Sequence, residues 1–474
     1  MLGTVDDLIL RLSDLKLATS REMQRTLSEL PAGASASDLL RRLEQQDIVT
    51  SLQATKIARG EADQLIVGGY KVMYQNASGS FARLYRGARL DNGQMVGIKI
   101  LRDRWSKDPT SVQMFLREGE LGKRFKHPNI VPIYDVGSTK KSHYIIMEFV
   151  EGGSLRDFLK IRGKLAPVEA LQYTLHISRA LEAALALGAT HRDMRTSNVL
   201  MSSQGVAKLI DFGLASESSP GGNDDLAQAL EYSTLESNTN APRNDPRSDL
   251  FFLGAILYEL LTGEPPYPRT KNRAERKLFS RYRDIRPVSS IDATLPPVVT
   301  AVVDRLLAVN PQQRYQSPTA VIADLEAALT TLGHAVANAA GKSGVAPDDK
   351  VILLVENRPK RQDMLRDYFT RHGYRVLLLG DADRALARLK TMSPYGVILF
   401  DEATGERAVD DFRQALQMTE KKSVAVVLVL NKTSESAVDP QAAQNPRGTI
   451  LATPVNLRKL RNVIESVHGE TGAS

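Results

Sequence analysis

Cysteine is absent from this 474-residue chain, which excludes disulfides and thiolate metal sites and fits a reducing cytoplasm. Histidine is scarce, with seven residues scattered at no ligand spacing. No run approaches the ~18 uninterrupted apolar residues of a membrane helix, so no membrane span is expected. The opening MLGTVDDLILRL carries acids where a signal peptide would carry positive charge. A strong charge of one sign is missing too, since the net charge is only +7. The densest basic run, Arg269 to Arg286, is interrupted by Glu275 and Asp284. It reads as solvated surface, and nucleic acid is not an expected partner. What remains is 42% hydrophobic and 25% charged, an ordinary globular composition. The length suits two or three domains, each with its own core.

Residues 1–66 read as several short helices forming a small helical module. Thr50-Ser51-Leu52-Gln53 has the spacing of a capping box, and Gly60 sits where a helix would end. Leu8, Leu12 and Leu15 mark one apolar stripe, and Leu39, Leu40 and Leu43 another. The segment carries no chemical motif and is expected to dock a protein partner or dimerise. Residues 69–333 are β-rich and then helical. Residues 334–349 (HAVANAAGKSGVAPDD) are small and polar and read as a linker. Across 350–468, apolar runs at Val351–Val355, Arg375–Leu379, Val397–Phe400, Val424–Leu430 and Thr449–Leu451 alternate with helical patterns. Such βα repeats predict a doubly wound parallel sheet.

The most informative stretch is His191-Arg192-Asp193-Met194-Arg195-Thr196-Ser197-Asn198, followed by Asp211-Phe212-Gly213. An Asp, a nearby cation, an Asn and a second Asp in this order resemble the catalytic and metal-binding loops of a protein kinase. The flanking motifs agree. Asn76-Ala77-Ser78-Gly79-Ser80-Phe81-Ala82-Arg83-Leu84-Tyr85 occupies the place of the glycine-rich loop. Val96-Gly97-Ile98-Lys99, then Glu118, then His127-Pro128-Asn129 follow at the family's spacing. Tyr144-Ile145-Ile146-Met147-Glu148-Phe149-Val150 is similar to the strand that enters the hinge.

This resemblance to bacterial Ser/Thr kinases implies a two-lobed fold that binds ATP and Mg2+. Lys99 would hold the α- and β-phosphates and pair with Glu118. Gly79 and Leu84 would border the nucleotide, Met147 would back the adenine pocket, and the backbone of Glu148 and Val150 would hydrogen-bond the base. Asp193 would orient the substrate hydroxyl, Arg195 would bring charge to the γ-phosphate, and Asn198 and Asp211 would ligate magnesium. Arg192 would face an activation segment holding Ser216, Ser218 and Ser219, or the fixed charges of Glu217, Asp224 and Asp225. Tyr232-Ser233-Thr234-Leu235-Glu236 aligns with the family's Ala-Pro-Glu, and Arg314 would pair with Glu236. Ala77 and Ala82 replace two loop glycines, and Ala229 replaces a threonine. These departures leave a second reading open, a pseudokinase scaffold that signals by contact.

Leu353-Leu354-Val355-Glu356-Asn357-Arg358-Pro359 and Val397-Ile398-Leu399-Phe400-Asp401 resemble the acidic pocket and phosphoacceptor strand of a response-regulator receiver domain. Asp401 takes the phosphoacceptor position, with Glu356 beside it. Asn357 and Arg358 dilute the acidic cluster, Asn431 stands near the switch Thr/Ser, and Thr453-Pro454 replaces the family's Lys-Pro. The expectation is a flavodoxin-like (βα)5 receiver fold without phosphorelay chemistry, used to bind a partner. The whole chain is then multidomain, α+β and α/β, a cytoplasmic signalling kinase acting on protein substrates.

Overall fold

The computed structural model describes residues 3–46, 48–140, 142–202, 205–212, 227–270, 272–333, 350–356, 358–379, 382–390, 392–420, 423–431 and 447–469. The expected linker, Gly213, Asn357 and the segment holding Ser216, Glu217, Ser218, Ser219, Asp224 and Asp225 lie outside these residues. The chain divides into two compact units. One comprises Met1–Val150, Ala170–Val199 and Ala207–His334, and the other Glu151–Glu169, Leu200–Val206 and Ala335–Ser474. Among the described residues no helix is long and apolar enough to cross a membrane.

The first unit begins with α1 (Val5–Asp14), α2 (Ser20–Ser28), α3 (Ala36–Gln45) and α4 (Ser51–Ala58). Each is too short to persist alone, so caps and a shared core must hold it. All four open on reciprocal capping boxes: Thr4 with Asp7, Thr19 with Glu22, Ser35 with Asp38 and Thr50 with Gln53. Such a cap contributes about 1 kcal/mol. Leu8, Leu12, Met23, Leu39, Leu43 and Ile57 bury together.

A six-stranded sheet follows: β1 (Ile66–Val67), β2 (Tyr70–Ser78), β3 (Ala82–Arg89), β4 (Met95–Leu101), β5 (Ile133–Ser138) and β6 (His143–Glu148). Its order is β1-β2-β3-β4-β6-β5, antiparallel at each pairing. The register of β2 shifts between Val72 and Tyr74. At that bulge Gln53 Nε2 donates to Val72 O at 2.8 Å, and Thr50 Oγ1 donates to Met73 O at 2.6 Å. The cap of α4 thus supplies partners for carbonyls at a bulge, which would otherwise need water or another donor. This ties the helical module to the strand that runs into the Gly79 loop.

The helix Pro109–Lys123 lies on this sheet. Asp108 caps it by accepting from Thr110 N and Ser111 N, with proline at the first turn. A Cβ on Gly119 would stand 2.7 Å from Val136 Cγ2, so only glycine lets the helix approach β5 this closely. Glu118, its neighbour, is thereby held near β4.

In sequence, β7 (Val199–Met201) and β8 (Ala207–Leu209) follow the loop that carries Asp193 and Asn198. The central helix Pro246–Thr262 is buried from Ser248 to Leu261, opens on the Asp245 cap and ends at Gly263 with φ 81°. Burial all round marks a core helix.

The second unit contains β9 (Val351–Val355), β10 (Arg375–Leu379), β11 (Gly396–Phe400), β12 (Ala425–Leu430) and β13 (Gly448–Ala452). They form one parallel sheet of order β10-β9-β11-β12-β13. The five expected runs match these strands to within a residue. Both faces are covered, one core gathering around Leu353, Leu399 and Phe412, the other around Leu354, Phe369 and Phe400. That explains the nearly uninterrupted apolar strands.

Candidate active site

Lys99 sits on β4, paired in register with Leu84 on β3 and Ile145 on β6. Its Nζ lies 2.7 Å from Glu118 Oε1 and 2.9 Å from Asp211 Oδ1. Burial alone would lower the pKa of this ammonium, but the Asp211 and Glu118 carboxylates together raise it. Burial likewise opposes ionisation of Asp211, and Lys99 holds its pKa below the usual range all the same. The three groups form one charged cluster around a lysine that stays cationic at neutral pH.

The loop that carries Asp193 is held by the central helix. Asp249, on the central helix, accepts from His191 N at 2.7 Å and Arg192 N at 2.9 Å. Arg192 takes a left-handed conformation, φ 61°, and Asp211 does the same. Such conformations persist in non-glycine residues where the surroundings over-determine them. Phe212 supplies part of those surroundings, its ring 4.5 Å from Phe125 and 4.7 Å from His191.

Asp193 Oδ2 accepts from Arg195 Nη2 at 2.7 Å and from Asn198 Nδ2 at 2.7 Å. Asn198 Nδ2 also donates to Asp193 O at 2.9 Å. Burial pushes the Asp193 carboxyl up to about 7, against the pull of Arg195 and the Asn198 amide. A carboxylate poised near neutrality suits a general base. Asn198 uses its amide nitrogen on Asp193, and Asp211 uses Oδ1 on Lys99. Their other oxygens form a hard donor set that fits magnesium completed by phosphate and water. Among the described residues no cluster of three or more His, Asp or Glu could hold a metal alone.

The residues expected to border the nucleotide lie on or beside the same sheet. Gly79 N donates to Ala82 O at 3.0 Å, which closes the loop tightly. Ala77 pairs with Leu84 and Ala82 with Leu101, so both alanines belong to strands. Met147 is buried on β6 against Gly97, where a Cβ would meet its Cγ at 3.0 Å. Glu148 already donates its N–H to Pro132 O at 3.0 Å, so any base contact there must use its carbonyl. Val150 lies just beyond β6.

One expectation is corrected in the segment that follows. Tyr232 to Glu236 belong to a helix, Ala227–Asn238, and the Ala229 side chain lies outside the described residues. Glu236 does not pair with Arg314. Its Oε1 lies 3.5 Å from Arg192 Nη1 and accepts from Ser248 Oγ at 3.2 Å, while Asn244 Oδ1 also takes Arg192. Arg314 donates instead to the carbonyls of Ala308, Arg247 and Val309. Two of these follow the C-terminus of the Pro297–Leu306 helix, whose partial negative charge satisfies a cation without any carboxylate. Asn244 escaped the sequence reading; its only signal is a polar residue beside the Asp245 helix cap.

In the second unit, Asp401 stands at the carboxyl end of β11 and accepts from Asn431 N at 2.7 Å. Glu356, fully buried, accepts from Arg358 N at 2.8 Å. The Arg361 guanidinium bridges Glu356 and Glu402 and lies over the Phe400 ring, 4.4 Å from its centroid. Arg358 adds a second bond to Glu402 at 2.8 Å. Thr453 Oγ1 reaches Asn431 Oδ1 at 3.3 Å. A guanidinium therefore fills the space between the acids, and the residues do not fit a resident magnesium. Arg361 was missed from sequence, although it follows Arg358 at one helical turn, the spacing that puts both on one face.

The protein kinase domain model matches residues 70–324, more than half of the chain. A protein of Streptomyces coelicolor described as a probable serine/threonine-protein kinase is 32% identical over 305 residues, covering 61% of this chain and 45% of that protein. The serine/threonine-protein kinase PknB of Mycolicibacterium smegmatis is 33% identical over 242 residues, 48% of this chain and 38% of its own length. A probable serine/threonine-protein kinase of Clostridium perfringens is 28% identical over 259 residues, 54% of this chain and 38% of that protein. The chain thus spans less than half the length of these relatives. With the lysine, the two loop aspartates and the asparagine gathered on one two-lobed scaffold, and the family model running across all of them, the chain belongs to the protein kinase family.

Proposed function

We propose that this protein is an active serine/threonine kinase that transfers the γ-phosphoryl group of Mg-ATP to hydroxyls of other proteins. The observation that carries this reading is the closed Lys99–Glu118–Asp211 cluster together with a half-buried Asp193 held by Arg195 and Asn198. A scaffold has no need to hold four such groups in register, and the loss of loop glycines removes none of the groups that do chemistry.

In this reading Lys99 binds the α- and β-phosphates, and Glu118 keeps its ammonium aimed at them. Asp193 accepts the proton of the attacking hydroxyl, while Arg195 fixes that carboxylate and offers charge to the γ-phosphate. Asn198 and Asp211 would hold magnesium, which neutralises phosphate oxygens when bound. Met147 and the backbone at Glu148 and Val150 orient the base. Mg-ATP should raise the melting temperature of the full chain by mass action, about 2.7 kcal/mol of stabilisation at a hundredfold excess over Kd. Lys99→Met should shrink the shift, and Asp211→Ala should remove its magnesium dependence. No shift at millimolar Mg-ATP would defeat the kinase reading.

We also infer that residues 350–468 form a receiver-like domain without phosphorelay chemistry, serving as a partner-binding module. The strand order supports this, being the flavodoxin-like 2-1-3-4-5 in the unit's own count. Arg361 supplies fixed positive charge where a receiver needs an exchangeable cation. Beryllofluoride with magnesium should therefore leave the fluorine spectrum of the chain free of a protein-bound signal. A magnesium-dependent adduct at Asp401 would contradict the inference.

A further inference from the structure

The tip of the Gly79 loop is gripped from the side by residues that the reading above does not use. Trp105 donates its indole Nε1–H to Ser80 O at 3.1 Å, and the Arg104 guanidinium donates to the same oxygen. Arg102 donates its backbone N–H to Phe81 O at 3.0 Å. The Phe81 ring lies 5.7 Å from Trp105 and 6.3 Å from Phe115 in tilted and edge-on contacts. Phe115 is fully buried on the Pro109–Lys123 helix, one turn before Glu118.

A phosphate-binding loop must bring backbone N–H groups close to the ligand, and glycines normally give it the freedom to do so. Here Ala77 and Ala82 are strand residues, and Gly79 alone remains. Such a loop has little freedom to search for its ligand and works best when it is already aimed. The two donors on Ser80 O and the tilted and edge-on contacts of the Phe81 ring fix the loop in direction and height. Through Phe115 the same cluster reaches the helix that carries Glu118.

We propose that Trp105, assisted by Arg104, is a positioning residue for the ATP phosphates, clamping the glycine-poor loop over the nucleotide and linking its position to the Glu118 helix. The inference rests on the kinase reading. The clamp acts on nucleotide binding and leaves recognition of the protein substrate alone, because every contact lies on the loop, on the short helix Asp103–Ser106 with its cap Arg102, and on the Pro109–Lys123 helix.

Trp105 is the only tryptophan in the chain, so its emission reports the clamp directly in the intact protein. Titrating the full chain with Mg-ATP should change that emission along a saturable curve, since phosphates under the loop alter the Ser80 carbonyl that the indole holds. Trp105→Ala removes one hydrogen bond and one aromatic contact and should raise the KM for ATP about tenfold. The KM for the protein substrate should stay within twofold. Trp105→Phe keeps the ring contact without the donor and should fall between wild type and alanine. If alanine proves unstable, the phenylalanine variant and the wild-type emission decide the matter. An ATP KM within twofold of wild type in the folded variants, or Mg-ATP binding with no change in emission, would overturn the clamp. A wild-type chain that neither binds Mg-ATP nor transfers phosphate defeats the kinase reading itself.

Discussion

Replacing Asp193 with asparagine should lower kcat for phosphotransfer by about 10²–10⁴-fold, the range that a positioned acid or base contributes. The substitution is isosteric and keeps an oxygen for Arg195 and Asn198. Nucleotide binding, read as the Mg-ATP shift in melting temperature, should therefore survive. The pH profile gives a second, independent check. Burial raises the Asp193 carboxyl to about 7, so the protonated form dominates below that value and cannot accept the hydroxyl proton. The logarithm of kcat/KM, which reports the free enzyme, should climb with pH and level off above about 7. Arg195 favours the carboxylate, so Arg195→Met should move the limb to higher pH. Asp193→Asn activity within tenfold of wild type would mean that the group orients nothing and accepts no proton.

Much of this site was legible because its residues are fixed by chemistry at short range. Asp193, Arg195 and Asn198 share one loop, and their mutual bonds follow from spacing. Lys99 and Glu118 are 19 residues apart, yet a strand followed by a helix brings such a pair together in a recognisable way. The strands of the second unit were legible for a simpler reason, since a parallel strand covered on both faces must be apolar along its length. Of the four capping boxes only Thr50–Gln53 was read from sequence, although Thr4, Thr19 and Ser35 stand three residues before an acid in the same spacing. What stayed hidden depends on which of several like-charged partners wins in three dimensions. Arg192 and Arg314 are both candidates for Glu236, and sequence order cannot rank them. The outcome turns on carbonyls freed at a helix end, which side-chain types do not reveal. Arg361 escaped in the same way, because an arginine on a helix is ordinarily a solvated one. Two carboxylates, the buried Glu356 and Glu402 beside Asp401, make it an internal cation.

Asp249→Ala should be the most damaging substitution outside the reacting groups. The carboxylate is buried, and three donors converge on it: His191 N on Oδ2, then Arg192 N and the Tyr232 hydroxyl on Oδ1. Each donor left unpaired in the interior costs about 1–3 kcal/mol, so their joint loss should amount to about 3–9 kcal/mol. For a domain of this size that is a fall of at least roughly 6 °C in melting temperature. The damage should reach catalysis as well, because two of the three donors are the backbone immediately before Asp193. Asp249→Asn tests the geometry. An amide oxygen in the Oδ1 place keeps Arg192 N and Tyr232, but its NH2 then confronts His191 N–H, so the loss should be smaller yet clear. Tyr232→Phe removes two bonds, the one donated to Asp249 and the one its oxygen accepts from Met194 N at 3.2 Å, and should cost about 1–3 kcal/mol, while the ring stays stacked on Phe252 at 4.2 Å. Urea unfolding of the three variants should show Asp249→Ala as the most damaged, with Asp249→Asn and Tyr232→Phe both milder. Equal losses for Asp249→Ala and Tyr232→Phe would mean that the carboxylate does not hold the loop, and that the left-handed turn at Arg192 is kept by the packing of Phe212 and His191 alone.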